Sequence, residues 1–198
     1  MRYPVAKPNW VLRCAILMLA VVGVSVLLTD QSPLGAEEIS AEVQLNPHQI
    51  QLLQALGLRI AVPTYMPRGF TLEKVLAEID RQSRIGGISY TLFYRRYDSD
   101  TNQDFCFAIE ATNGGIGDIP TGSRSYPINA SNFGKSSLEY GVYGRAKGAT
   151  YLSNWLGTAS GPFYRFVGAG IIPEGSNCTN MSVQESIRVT ESLQYLSR

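Results

Sequence analysis

The sequence predicts an α+β domain: a curved, mostly antiparallel sheet of five to seven strands, with an N-terminal and a C-terminal helix packed on one face. Three observations carry that prediction. Two long runs alternate apolar and polar residues and are separated by a polar turn, as in a hairpin. A capping box opens an apolar helical pattern near the carboxyl end. A shorter stretch near residue 50 carries helix start and stop signals at both ends. The 19 glycines and 11 tyrosines fit the same class, because sheets need tight turns and favour aromatic strand residues.

Taken in order, residues 37–45 are acidic and polar and read as a tether, and the domain is expected over 46–198. In NPHQIQLLQALGL, Asn46 suits an N-cap, Pro47 the first helical position and Gly57 a stop. Ile50, Leu53 and Leu56, with Leu52 beside them, give the helix one apolar face. PTYMPRGF follows, where Pro63 and Pro67 fix φ and Pro67-Arg68-Gly69 suits a tight turn. This stretch carries the chain from the helix to a first strand, FTLEKVLAEID, with Tyr65 and Met66 plugging the end of the sheet. In GGISYTLFYRRYDSD, Ile88, Tyr90, Leu92 and Tyr94 oppose Ser89, Thr91, Phe93 and Arg95; DFCFAIEA repeats the alternation with Phe105, Phe107 and Ile109. Three or four further strands are read in SYPINAS, SSLEYGVYG, TYLSNWLG and PFYRFVGAG. Ser182 and Glu185 form the capping box of the last helix, which Ser186, Val189, Leu193 and Leu196 continue.

The amino end stands apart from that domain. Arg2, Lys7 and Arg13 precede the apolar run Cys14–Leu28, and acidic residues follow it, a polarity that keeps the amino end in the cytoplasm and exports the remainder. The run is shorter than the ~20 residues of a spanning helix. Cleavage after Ala36 and retention as an uncleaved anchor both stay open, and any membrane attachment comes through this segment alone. Cys14 lies at the start of the run, the wrong side for lipid attachment. Beyond it stand Cys106 and Cys178, an even pair for which an oxidising compartment makes a disulfide the expectation. The chain's 17 basic and 16 acidic residues become 14 and 15 once Arg2, Lys7, Arg13 and Asp30 are set aside, a net charge near −1. No basic cluster remains, which argues against nucleic acid and anionic lipid surfaces as partners.

VPTYMPRGFTL, followed by SYTLFYRR, NWLG, FYRFVG and the closing IRVTESLQYL, is similar to a bacterial extracytoplasmic domain of unknown function. That domain sits behind signals or membrane anchors, sometimes on anti-sigma factors, and opens with Pro-x-Tyr-Leu-Pro-x-Gly-Phe; here Met66 takes the leucine place and Arg68 the variable one. The resemblance covers roughly residues 60–196 and carries over no catalytic residues. The segment from Gly114 to Ser137 and the cysteine pair go beyond that pattern. They leave open a lumenal accessory protein of a photosynthetic membrane complex, with a fold like the extrinsic oxygen-evolution proteins.

Chemistry-bearing constellations are few. His48 is the single histidine, placed on the solvated first turn of the first helix, so histidine-based triads and multi-histidine metal sites are not expected. Ser160 in GTASG is out of place for a nucleophile elbow, and GGIG lacks the rest of a dinucleotide loop. Asp98, Asp100, Asn102 and Asp104 alternate like the start of a calcium loop, but Gln103 replaces the needed glycine and Ile109 the bidentate glutamate; a solvated hairpin tip is the plainer reading. Asp80, Asp98, Asp104, Glu110, Asp118 and Glu139 are available carboxylates without a sequence-level pairing. Asn129, Asn177 and Asn180 head glycosylation sequons that matter only in a eukaryotic secretory route. Tyr90, Tyr94, Tyr140, Tyr143, Trp155, Phe163, Tyr164 and Phe166 suit ligand grooves and partner surfaces and equally the core face of a sheet, with core the preferred reading; Tyr65, Met66, Tyr90, Tyr94, Trp155 and Tyr164 are the candidate contacts for a ligand or partner. Nothing calls for a cofactor. The expectation is a non-enzymatic extracytoplasmic binding or scaffold domain whose partner is a membrane or envelope protein. The alternative is a sensor holding a small apolar or envelope-derived ligand between sheet and helix, with a carboxylate hydrolase the more distant reading.

Overall fold

A computed structural model describes residues 44–80, 87–114, 121–144, 146–157 and 161–196. The apolar run, the candidate cleavage site and residues 37–43 of the tether lie outside the described residues, as do Asp118 and Ser160.

Local signals build both helices where they were expected. Helix α1 spans Pro47–Ala55: the Asn46 side chain accepts from Gln49 N, and the Gln49 side chain accepts from Asn46 N, each at 2.9 Å. That is a reciprocal box satisfying two backbone donors at the exposed end. Gly57, at φ +75, ends the turn. Helix α2 spans Val183–Glu191 and is capped in the same way by Ser182 and Glu185.

Among the described residues nine strands accompany them: β1 (Ala61–Pro63), β2 (Thr71–Asp80), β3 (Gly87–Asp98), β4 (Gln103–Thr112), β5 (Arg124–Ala130), β6 (Gly134–Gly141), β7 (Thr150–Ser153), β8 (Phe163–Val167) and β9 (Leu193–Tyr195). Seven form one antiparallel sheet in the order β2-β3-β4-β8-β7-β6-β5, and β1 pairs with β9 in a separate ribbon. The long β3–β4 hairpin realises the period-two reading, with Tyr94 opposite Phe107 and Leu92 opposite Ile109. Gly69, at φ +83, supplies the conformation the Pro67-Arg68-Gly69 turn needs, and Phe70 N closes it on Pro67 O at 3.2 Å.

Alternation gives the sheet two buried faces. On the helix side, Tyr90, Leu92, Tyr94, Phe107, Ile109, Tyr164 and Phe166 pack with Leu53 of α1, Val189 of α2 and Leu193 of β9. Both helices therefore cover one face. On the outer side, a smaller cluster of Phe93, Cys106, Ala108, Leu152, Val167 and Ala169 is packed by Ile171, Ile172 and Cys178. This covering segment carries a 3-10 turn over Pro173–Gly175. It is tied to β4 by Thr179 N on Asp104 O (2.7 Å), by Cys106 N on Thr179 O (3.2 Å) and by the Cys106–Cys178 disulfide. Closing a loop with a sequence separation of 72 stabilises the fold by about 4 kcal/mol in the chain-entropy account.

Two expectations are corrected. The final helix does not run on through Leu193 and Leu196. Ser192 is its C-cap, and the backbone after Pro63 captures that residue: Thr64 N donates to Ser192 O at 3.1 Å and Tyr65 N to Ser192 Oγ at 3.0 Å. Leu193–Tyr195 then pairs with β1. The tether also stops short of residue 45, because Leu45 is buried in the helix-side core and the Gln44 amide clasps β2. Its Nε2 donates to Phe70 O (3.4 Å) and its Oε1 accepts from Leu72 N (2.9 Å).

Candidate functional site

Register across the outer face places the half-exposed residues in rows. Leu76, Thr91, Glu110 and Arg165 line up on β2, β3, β4 and β8, and Glu78, Ser89, Thr112 and Phe163 form the next row. The first row stands next to the buried Phe93, Ala108 and Val167, just past the disulfide-tied segment. The residues of the two rows are half-buried except Glu78, which is exposed.

Arg165 is the centre of this end. Its Nε donates to Glu110 Oε2 at 2.6 Å and its Nη2 lies 2.6 Å from the same oxygen. The guanidinium stands 4.2 Å from the centroid of the half-buried Trp155 ring. The carboxylate fixes the guanidinium and the guanidinium covers the indole, so the three side chains form one ordered unit. Trp155 Nε1 is buried and has no hydrogen-bond acceptor among the described residues. A buried N–H without an acceptor leaves hydrogen-bonding capacity unused at the edge of this platform.

The other candidate contacts fall elsewhere. Tyr90, Tyr94 and Tyr164 are 1%, 1% and 0% exposed and are corrected from contact to core. Two of the hydroxyls also serve the backbone: Ala61 N donates to Tyr90 Oη, and Tyr164 Oη donates to Arg59 O, each at 2.7 Å. Desolvation pushes all three phenols well above the ordinary tyrosine value. Tyr65 and Met66 are half-buried against the helix-side core, and the Arg188 guanidinium of α2 lies 3.9 Å above the Tyr65 ring. Their work is internal.

The calcium reading is also corrected. Asp98 Oδ1 accepts from Asp100 N (3.0 Å) and Thr101 N (3.2 Å), Asn102 Oδ1 accepts from Tyr97 Oη (2.8 Å), and Asp104 lies within β4. The alternation is a turn-building pattern. Among the described residues no group of three or more His, Cys, Asp and Glu side chains comes together to hold a metal. Of the candidate carboxylates, Glu110 is taken by Arg165 and Glu139 accepts from Ser125 Oγ at 2.7 Å. His48 is exposed, and Asn180 is engaged with Thr150, Ala149 and Ala169.

A groove of about 920 Å³ lies beside the α1–β1 connection, lined by Gln54, Gly57, Leu58, Arg59, Ile60, Tyr195 and Leu196. Arg59 stacks on Tyr195 there at 3.4 Å. Among the described residues no helix is long and apolar enough to cross a membrane, and the bonded cysteine pair is compatible with an extracytoplasmic location. No protein-family model, curated protein or solved structure matches this chain.

Proposed function

We propose that this chain is a non-enzymatic extracytoplasmic domain that binds or scaffolds a membrane or envelope protein through the half-exposed end of its outer sheet face. The observation that carries this reading is the Trp155–Arg165–Glu110 unit. Tryptophan and arginine are the residue types that dominate binding energy at interfaces, and here both are held in place before any partner arrives. The disulfide supports export, and the opening motif's resemblance to anchor-borne domains points the same way.

A sensor with its ligand between sheet and helices would need space that Tyr90, Tyr94, Phe107, Tyr164 and Phe166 fill. The groove at Arg59 and Tyr195 is one place, among the described residues, where that reading finds room. A photo-reactive residue at Thr91, beside Glu110, in the full chain in its native membrane separates the two. The expected result is a discrete protein adduct that disappears with Trp155→Ala, and no adduct from the same probe at Gln54. Labelling from Gln54 alone, or a Thr91 adduct indifferent to Trp155→Ala, would overturn the proposal.

A further inference from the structure

Strand β2 is outermost on its side of the sheet, and from Lys74 to Asp80 its register with β3 is unbroken; the bulge comes earlier, between Leu72 and Lys74. On the helix side this run presents Val75, Ala77 and Ile79, in register with Leu92, Tyr90 and Ile88. Further in, Leu92 and Ile109 on that face are fully buried, whereas Ala77 is exposed and Ile79 is 51% exposed. Among the described residues no strand lies on the outer side of this run. Among the described residues, Gln44 meets the outward backbone of this region, and only at Phe70 and Leu72, upstream of the run.

We propose that Lys74–Asp80 pairs antiparallel with the same run of a second copy of this chain, about a twofold axis at Ala77. The two seven-stranded sheets then become one. The pattern of the strand selects that register. Pairing Ala77 with Ala77 of the second copy sets Lys74 against Asp80, Val75 against Ile79 and Leu76 against Glu78. The helix side is then apolar throughout, and on the outer side Lys74, whose Nζ holds Glu174 Oε1 at 2.8 Å, gains the Asp80 carboxylate of the second copy as a further neighbour of opposite charge. A slip of one residue would exchange the two faces. The next face-preserving register in one direction sets Glu78 against Glu78, and in the other it reaches Leu72, whose N–H Gln44 already holds. Edge charges usually repel a second strand; these complement one.

The test uses the full chain with Cys14→Ser, so that Cys106 and Cys178 stay paired, and a short thiol cross-linker. Cross-strand Cβ atoms at a twofold are about 5 Å apart, so Ala77→Cys should be captured as a homodimer. Two Ile79→Cys chains should not, because four residues of offset separate those thiols by roughly 13 Å. A mixture of Val75→Cys and Ile79→Cys chains should cross-link across the pair. Independently, Ile79→Lys at its exposed position should leave the fold intact by circular dichroism and raise the dimer dissociation constant in sedimentation by at least about tenfold, the effect of roughly 1.4 kcal/mol. Equal capture of Ala77→Cys and Ile79→Cys, or a monomeric parent chain at micromolar concentration, would overturn the proposal, including the case in which residues before Gln44 or another protein cover the edge.

Discussion

The two ends of the seven-stranded sheet finish differently. At the β5 end, Pro127 has no N–H to offer, and Asn129 N donates to Glu191 Oε1 of α2 at 2.8 Å. Helix and proline together close that edge. At the β2 end, the Gln44 amide closes the first residues and the run that follows carries its apolar side chains at the surface. A helix placed near one edge protects that edge at little cost, because its carboxylate can reach an outward N–H. The opposite edge lies beyond that reach, and among the described residues the Gln44 amide is what meets it, at Phe70 and Leu72.

Breaking the core that both edges share has the largest expected effect. Tyr90, Tyr94 and Tyr164 hold their protons in the folded state well above the value near 10 at which an unfolded chain releases them. Their contribution to stability is therefore complete below that value and is lost as pH rises past it toward the folded values. The slope is about 1.4 kcal/mol per pH unit for each tyrosine, or roughly 4 for all three. Urea unfolding between pH 8 and pH 11.5 should show the midpoint falling steeply above 10, and a flat midpoint would contradict the burial of the phenols. Next in size, Val189→Ala removes a fully buried side chain from α2, the helix that covers β5. It should cost about 2 kcal/mol and raise amide exchange in β5 more than in β2. Smallest are the two clasps. Glu191→Ala and Gln44→Ala should each cost about 1 kcal/mol. The first should speed exchange at Asn129 and leave Leu72 unchanged; the second should do the reverse. Equal responses at both amides would erase the distinction between the edges.

Signals that act within a few residues were legible in the sequence. Both N-caps, the glycine stop after α1, the Gly69 turn and the alternation of β3 and β4 followed from local chemistry, and the structure keeps them. Illegible features depended on neighbours distant in the chain. The apolar spacing of Val189, Leu193 and Leu196 fits a helix, and only β1 arriving alongside turns Leu193–Tyr195 into a strand. Gln44 looks like a tether residue until Phe70 and Leu72 present a backbone for it to clasp. The candidate site is of the same kind: Trp155 and Glu110 were each visible as residue types, but their union needed Arg165, 55 positions from Glu110. No spacing rule supplied that register. The tyrosines show the converse, since an amphipathic side chain suits a core and a groove equally by pattern, and the backbone groups of Arg59 and Ala61 decide for the core.

The β1–β9 ribbon joins Ala61 to Tyr195, and Thr64 N reaches Ser192 O across 128 positions. A ribosome or export channel releases the amino-terminal strand first, so β1 must wait, unpaired, until Leu193–Tyr195 has emerged. Cys106 waits likewise for Cys178. Synthesis of this domain therefore contains a built-in delay before the ribbon and the disulfide can close.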